Sequence, residues 1–475
     1  MSQTSDIQPM QYDFVVIGGG PAGMKAGVQA SKEGLRVLMI DRAPSMGGEC
    51  VRRGTIPSKT LRESANCLSI LRSRSPEALK PDLGQDVKVS TLMKRLRTVL
   101  AGHEEFLGAQ IARNEIEMIQ GKARFLGPNS LHVEMRRGEN RVIEAKHIVI
   151  ATGSRPRTPE HIDVDHEHVL DSDSILSLIY LPTSLTVLGA GVIACEFASI
   201  FQTLGVAVTM IDSHASPLGF MDPDLVAGFV ESFEAEGGRL ITNAKVTSSK
   251  SNGCGLVETT LESGEVIAAD KCLCALGRVA STAGLDLEAA GLELNTRGHI
   301  PVDENCLTSV PSIYAVGDVI GPPALATSAM DQGRRAARHA LNLEMDVKAA
   351  LVPSGVYTLP EMASVGETEA QVSARLGSCM VSRANFDELA RAHITGCTSG
   401  FLKLVCDPEG NQILGVHVLG EGAAELVSIA QIAIYANLSA EAFIENIFNF
   451  PTMAEAYRVA AIGVLAQRNA LSQAA

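Results

Sequence analysis

The chain is short of positive charge: Lys and Arg number 40 against 54 Asp and Glu, a net charge of −14. That deficit argues against a nucleic-acid or anionic-membrane surface, which needs clustered cations. Any anionic ligand must be held locally, by helix N-termini and single cations. No run of 18 uncharged apolar residues occurs, so no membrane span is expected. Met1–Met10 has neither the basic n-region nor the apolar h-region of a secretory signal. The ten cysteines (50, 67, 195, 254, 272, 274, 306, 379, 397 and 406) are scattered through apolar stretches and do not form a disulfide framework. A reducing, cytoplasmic setting is therefore expected. Cys272 and Cys274 share a strand-like run without neighbouring ligands, so no metal site is expected.

Glycine, in contrast, is plentiful: 43 copies in 475 residues. That suits an α/β protein with many strand-to-helix turns, and the length suits about three domains. The strongest pattern is an internal duplication. Phe14–Gly20 (FVVIGGG) reads as a buried strand entering a glycine turn, and Leu185–Gly191 (LTVLGAG) repeats it 171 positions later. Each turn is followed by a helix, Pro21–Gly34 and Val192–Gly205, and then by a strand, Arg36–Asp41 and Ala207–Asp212. Each strand ends on an acid 23 residues beyond the first glycine.

This spacing has the physics of dinucleotide binding. The first glycine allows a tight turn, the second lets backbone approach a pyrophosphate, and the third position admits close helix–strand packing. The helix N-terminus supplies amide donors, and the acid can accept from ribose hydroxyls. One glycine fingerprint is weak evidence; two in the same strand–turn–helix–strand–acid register are strong.

Other segments fit the same layout. His147–Gly153 and Lys271–Arg278 read as strands closing the two units, and Ile313–Asp318 as a third strand-to-turn ending on an acid. A helix is expected from about Leu325 to Leu341. From about Asp346 the pattern becomes mixed, with strands at Phe401–Cys406 and Ile413–Val418 and an amphipathic stretch at Ala423–Ala436, as in an α+β domain. Residues 72–90 are polar and irregular, the pattern of a surface loop between helices.

The first acid is soon followed by Gly47–Lys59 (GGECVRRGTIPSK). The two fingerprints, this segment, Ala151–Gly153, Gly317–Asp318 and Pro451–Glu455 resemble the pyridine nucleotide–disulfide oxidoreductase superfamily along its whole length. Dithiol members of that superfamily carry C-x4-C before the Pro-Ser-Lys element, and His-Pro beside a C-terminal Glu. This chain has Cys50 and Thr55 at the first place and Phe450 and Pro451 at the second. The C-x4-T variant, Leu170–Leu176 (LDSDSIL), Leu389–Ile394 (LARAHI) and Phe450–Ala461 (FPTMAEAYRVAA) are similar to the soluble, Si-specific pyridine nucleotide transhydrogenases.

The resemblance implies an FAD-binding domain at 1–155 and 279–345, an NAD(P)-binding domain at 156–278, and a C-terminal dimerisation domain at 346–475. It implies FAD, NAD(H) and NADP(H) as cofactors and a homodimer or larger homo-oligomer as the assembly. FAD would be held by Gly18, Gly20, Pro21, Ala22, Gly23, Asp41, Arg42, Gly47, Gly48, Cys50, Lys59, Ala123, Thr152, Gly153, Asp318 and Ala326. The nucleotide would be held by Gly189, Gly191, Ile193, Glu196, Asp212 and Gly277. Lys59, near the flavin N5 and paired with Glu196, and Thr55 would carry the chemistry. Cys50 reads first as a packed, inert thiol, and Glu455 and Tyr457 as residues that cap or pack an interface helix.

Two features of the second fingerprint pull apart. Asp212 favours a free 2′-hydroxyl and so NAD, and neither Ser213, His214 nor Ala215 adds a Lys or Arg. Ala194, at the third glycine position, occurs in several NADP-dependent relatives by the same resemblance. The expected activity is hydride transfer between NADPH and NAD+ through flavin N5, without a disulfide. The alternatives are an NADH-dependent flavoprotein reductase with a quinone, dye or oxygen acceptor, and a flavin-containing scaffold.

Overall fold

The computed structural model describes residues 9–73, 89–344 and 351–474. Most of the expected surface loop near 72–90 falls at 74–88, outside the described residues. By compactness the chain divides into two units. The first takes in Met1–Thr60, Met93–Arg157 and Gly277–Lys348; the second takes in Leu61–Leu92, Thr158–Leu276 and Ala349–Ala475.

The first unit is built on a parallel sheet. Its strands run in the spatial order Glu117–Gly127, Val37–Asp41, Met10–Ile17, Arg141–Ile150, Ile313–Ala315. Phe14–Ile17, Val37–Ile40 and Ile148–Ile150 are apolar and buried throughout because both faces are covered there. Glu117–Gly127 also folds back through Ser130–Met135 onto Arg141–Ile150 as an antiparallel meander. The chain leaves Met10–Ile17 toward one sheet edge and later returns on its other side. That places a topological switch point beside its C-terminal end, where ligands of such sheets bind.

In the second unit, Arg239–Ile241, Ala207–Ile211, Ser184–Leu188, Lys271–Cys274 and Val169–Asp171 form a parallel sheet in that order. The repeated first strand again sits between the second strand and the closing strand. The duplication therefore survives as two Rossmann-like sheets. The same unit holds a five-stranded antiparallel sheet made of Ser354–Val356, Met362–Gly366, Ile413–Leu419, Phe401–Cys406 and Met380–Asn385. The helices Ala423–Tyr435 and Glu455–Ala474 pack on it through a core that includes Leu404, Val416, Ala430 and Tyr457. The Tyr457 hydroxyl donates to the Leu426 carbonyl at 2.5 Å, and the ring is fully buried.

A buried lysine ties the five-stranded antiparallel sheet to the helix Pro223–Ala235. Lys403, only 2% exposed, reaches Asp222 Oδ2 at 3.1 Å, Asp224 Oδ2 at 2.6 Å and Glu369 Oε2 at 2.8 Å. Asp222 caps the helix Pro223–Ala235, accepting from the Asp224 amide. No helix among the described residues is long and apolar enough to cross a membrane.

Candidate active site

The first fingerprint folds as its spacing predicts. Gly18 has φ +109°, and its amide donates to the Ile40 carbonyl at 2.8 Å. A Cβ on Gly18 would fall 2.3 Å from the Ala151 oxygen, so the turn requires glycine. Gly20 is the N-cap of the helix Pro21–Lys32, with no side-chain cap. Gly23 faces the strand: a Cβ there would sit 2.0 Å from the Gly18 oxygen. Ala22 is buried, and its carbonyl oxygen would lie 2.1 Å from a Cβ on Gly333, in the helix Ala326–Ala340.

Asp41 serves the backbone as well as any ligand. Its Oδ2 accepts from the Gly19 amide at 2.7 Å and its Oδ1 from the Ala43 amide at 2.8 Å. Arg42 is exposed and lies 3.8 Å from Glu49. Gly47 and Gly48 both have positive φ, and the Gly47 amide donates to the Gly19 carbonyl at 2.7 Å. A Cβ on Gly48 would fall 2.7 Å from the Gly20 Cα, so two bare glycine backbones meet above an uncapped helix N-terminus. This cradle fits a dinucleotide pyrophosphate, whose charge the helix amides can meet.

Beyond the cradle, Cys50 is half-buried and its thiol hydrogen-bonds the Thr55 hydroxyl. Burial pushes the thiol upward, against the pull of that bond and of the Lys59 charge. Thr55 opens the helix Thr55–Ser73, which also carries Lys59. The Lys59 ammonium donates to Ser58 Oγ at 3.4 Å.

The other first-unit residues gather at strand ends. The Ala151 amide donates to the Ile17 carbonyl and the Val316 amide to the Ile150 carbonyl, so Thr152, Gly153 and Asp318 follow adjacent parallel strands. Two buried hydroxyls near these ends, Thr152 Oγ1 and Ser328 Oγ, have no hydrogen-bond partner. Ser328 lies in the first turn of the helix beginning at Ala326, which has no side-chain cap. Orphaned hydroxyls and an uncapped helix are what a polar cofactor would satisfy. Ala123 is buried opposite Val133 in the meander.

The second fingerprint reproduces the first, bond for bond. Gly189 has φ +100°, its amide donates to the Ile211 carbonyl at 2.8 Å, and Gly191 caps its helix without a side chain. Open space surrounds the Cβ position of Gly191, and Ile193 follows in the first turn of the helix. Ala194 is fully buried where the first copy has Gly23. Asp212 Oδ2 accepts from the Ala190 amide at 2.6 Å, and Oδ1 from the His214 amide at 2.7 Å. Gly277, with φ +98°, accepts at its carbonyl from the Arg157 amide.

Glu196 lies on the helix Val192–Thr203 and is 4% exposed. Its Oε1 accepts from the Tyr357 amide at 2.9 Å, and Ser199 Oγ, one turn on, accepts from the Leu359 amide. The nucleotide fingerprint is thereby tied to the first strand of the C-terminal sheet.

Sequence reasoning missed two residues beside Asp318. Ser154 Oγ donates to Asp318 Oδ2 at 2.6 Å, and Arg278 Nε donates to Ser154 Oγ at 2.8 Å. Ser154 and Arg278 sit in short strands that pair antiparallel, Ser154–Pro156 with Arg278–Ala280. The available signal was positional: Ser154 directly follows, and Arg278 ends, the segments that close the two repeats.

Comparison with known proteins agrees with this geometry. The family described as pyridine nucleotide-disulphide oxidoreductase matches residues 12–333, and its dimerisation domain matches 352–461. The soluble pyridine nucleotide transhydrogenase of Mycobacterium bovis is 40% identical over 464 residues, covering 98% of this chain and 99% of that protein. The enzyme of the same name from Hahella chejuensis is 40% identical over 465 residues, covering 96% and 98%. Among solved structures, the HOCl-induced flavoprotein disulfide reductase RclA of Escherichia coli, as its Cu(II) complex, has a TM-score of 0.86 at 29% identity, covering 95% and 99%. LpdA of Mycobacterium tuberculosis has a TM-score of 0.87 at 28% identity, with the same coverage. That family works with FAD and pyridine nucleotides, which the two glycine cradles fit. With its two Rossmann-like sheets and C-terminal dimerisation domain, the chain belongs to the pyridine nucleotide–disulphide oxidoreductases.

Proposed function

We propose that the chain is an FAD-dependent, Si-specific NAD(P)+ transhydrogenase that moves hydride between NADPH and NAD+ through flavin N5, without a redox disulfide. The observation that carries this reading is that Thr55, not a second cysteine, stands beside Cys50 at the start of the helix Thr55–Ser73. Where a dithiol enzyme has a second sulfur to pass electrons onward, this chain has a hydroxyl that cannot be oxidised to a disulfide. Bound FAD would supply a two-electron carrier between two nucleotides that use one pocket in turn.

The domains in this reading are FAD-binding at 1–155 and 279–345, nucleotide-binding at 156–278 and interface at 346–475. Gly18, Gly20, Pro21, Ala22, Gly23, Gly47 and Gly48 hold the FAD pyrophosphate, and Asp41 with Arg42 the adenosine end. Ala123 lines the adenine side, while Thr152, Gly153 and Asp318 meet the remainder of the cofactor. The helix beginning at Ala326 directs its positive end at the flavin. Gly189, Gly191, Ile193, Asp212 and Gly277 hold the nucleotide, Lys59 serves the flavin and Glu196 the nicotinamide. Glu196 is oriented for that role by the Tyr357 amide. The assembly is a homodimer: Ile432, Tyr435, Ile447 and Phe450 of the interface domain expose large apolar side chains, with Ile447 98% exposed.

Stopped-flow mixing tests the activity. NADPH and NADH, each alone, should bleach the flavin absorbance, and NAD+ or NADP+ should restore it. Bleaching that neither oxidised nucleotide reverses would favour the second reading, an NADH-dependent flavoprotein reductase. The likeness to solved structures named as disulfide reductases favours that reading in part.

The thiol gives a further expectation. Burial raises Cys50, so reduced enzyme at neutral pH should show no long-wavelength thiolate-to-flavin absorbance. Cys50→Ser should slow NADH-driven flavin reduction by less than about tenfold, about 1.4 kcal/mol of barrier. A larger loss in a folded, flavin-loaded variant would give the thiol a catalytic role.

A further inference from the structure

The two fingerprints provide an internal control for nucleotide choice. Around Asp41 and Asp212 the backbone hydrogen bonds are the same: residue 19 or 190 donates to Oδ2, and residue 43 or 214 donates to Oδ1. The copies diverge in the side chain of the last of these residues. Ala43 offers a methyl group, whereas His214 offers an imidazole whose Nδ1 reaches Asp212 Oδ1 at 2.7 Å. Facing a carboxylate oxygen, Nδ1 acts as the donor.

Asp41 Oδ1 therefore has one protein donor and Asp212 Oδ1 has two. A carboxylate oxygen has about two acceptor sites, so His214 fills the one that a ribose 2′-hydroxyl would use. The Asp212 side chain is 13% exposed and that of His214 83% exposed, so the ring stands between the acid and solvent. No hydrogen bond to its Nε2 occurs among the described residues. The His214 carbonyl accepts from the Asn243 amide at 3.0 Å, which fixes the loop. Ser213, Ala215 and Ser216 carry no charge, and Lys245, on the neighbouring segment, lies 3.8 Å from Glu262. His214 thus carries the one side-chain nitrogen donor among residues 213–216.

We propose that His214 determines nucleotide specificity: by occupying Asp212 it admits a 2′-phosphorylated adenosine, and so lets one pocket take both NADP(H) and NAD(H). An unpaired Asp212 would repel a 2′-phosphate, because like charges at close range repel even through partly screening solvent. The imidazole donates to the carboxylate through Nδ1, and in its protonated form it offsets that charge and turns an Nε2–H donor toward the phosphate. The inference deepens the two-nucleotide reading above and rests on it for the identity of the pocket.

Equilibrium titration with adenosine 2′,5′-bisphosphate and adenosine 5′-monophosphate tests it on the flavin-loaded protein without any hydride transfer. Wild type should bind the two within roughly tenfold of each other. His214→Ala, an exposed substitution, should shift the affinity ratio roughly 10- to 100-fold against the bisphosphate. Asp212→Asn placed on His214→Ala should return most of that shift, since no carboxylate is left to mask. A ratio unmoved by His214→Ala, or one that stays shifted in the double variant, overturns the proposal. His214-dependent binding of the bisphosphate in a protein that fails the stopped-flow test would uphold this inference and sink the transhydrogenase reading.

Discussion

Lys403→Ala should cost about 3–5 kcal/mol, the usual penalty for breaking a buried ion pair from one side. For a protein of this size that should appear as a fall in Tm of roughly 3–5 °C. Asp222 is fully buried and would lose its cation, while only Asp224 and Glu369 could turn to water. The loss should depend on pH at both ends. Burial alone would lower Lys403, but the hydrogen bonds it donates to Asp224, Glu369 and Asp222 raise it above the ordinary lysine range. Its stabilisation is therefore complete below that range and fades as pH climbs through the raised value. Burial would raise Asp224, but Lys403 and Arg383 hold it below the ordinary carboxylate range. Its share is complete above that range and fades as pH falls through the lowered value. The difference between wild type and variant should be largest from about pH 7 to 9, shrink above that as Lys403 loses its proton, and shrink below it as His417, which burial and Lys403 hold low, gains a proton more readily in the variant. A difference under about 1 kcal/mol throughout would show the cluster behaving as a surface pair.

Gly23→Ala should be nearly as damaging, although Ala194 occupies the equivalent place in the second copy. A Cβ at Gly23 would meet the Gly18 oxygen at 2.0 Å and Val16 Cγ1 at 2.9 Å, so the helix Pro21–Lys32 must lift from its strand. Alanine gains about 1 kcal/mol of helix propensity over glycine, but strain from overpacking reaches about 3 kcal/mol and wins. The displaced helix carries the amides of the cradle, so the variant should leave purification with most of its FAD missing. Ala194→Gly should cost only about 1 kcal/mol. Flavin absorbance per chain and thermal unfolding of both variants check the contrast. Full FAD content in Gly23→Ala would mean that the helix yields without disturbing the turn.

Those two predictions mark what could be read from the chain and what could not. Gly23, Gly18 and Asp41 were legible because a tight turn, a close helix and a ribose-facing acid impose residue types at fixed local spacing. The duplication made the reading firm, because the same spacing recurs 171 residues on. Lys403 was not legible: two of its partners, Asp222 and Asp224, lie 181 and 179 positions earlier and the third, Glu369, opens a different helix, and nothing in Phe401–Cys406 sets that lysine apart from a solvated one. The partner of Glu196 was hidden for a different reason. It is a backbone amide, at Tyr357, and any residue but proline offers one. Ser154 and Arg278 stood next to motifs that were read, yet a hydroxyl relay to Asp318 depends on how two short strands pair. His214 was visible as a neighbour of Asp212, but only the geometry turns adjacency into a bond.

The amides that hold Asp41 and Asp212 belong to the protein alone. Each acid stitches its strand end to the glycine turn, at Gly19 and at Ala190. The turn's conformational entropy is therefore surrendered when the chain folds and need not be given up again when a dinucleotide arrives. A receptor shaped in advance recruits its ligand with little rearrangement, so association with either cradle should approach the rate set by diffusion and orientation. The same stitch gives each carboxylate a second duty. Replacing Asp41 or Asp212 by alanine would loosen an empty turn as well as remove a ribose contact, and hydrogen exchange at the Gly19 and Ala190 amides would reveal that loosening before any nucleotide is added.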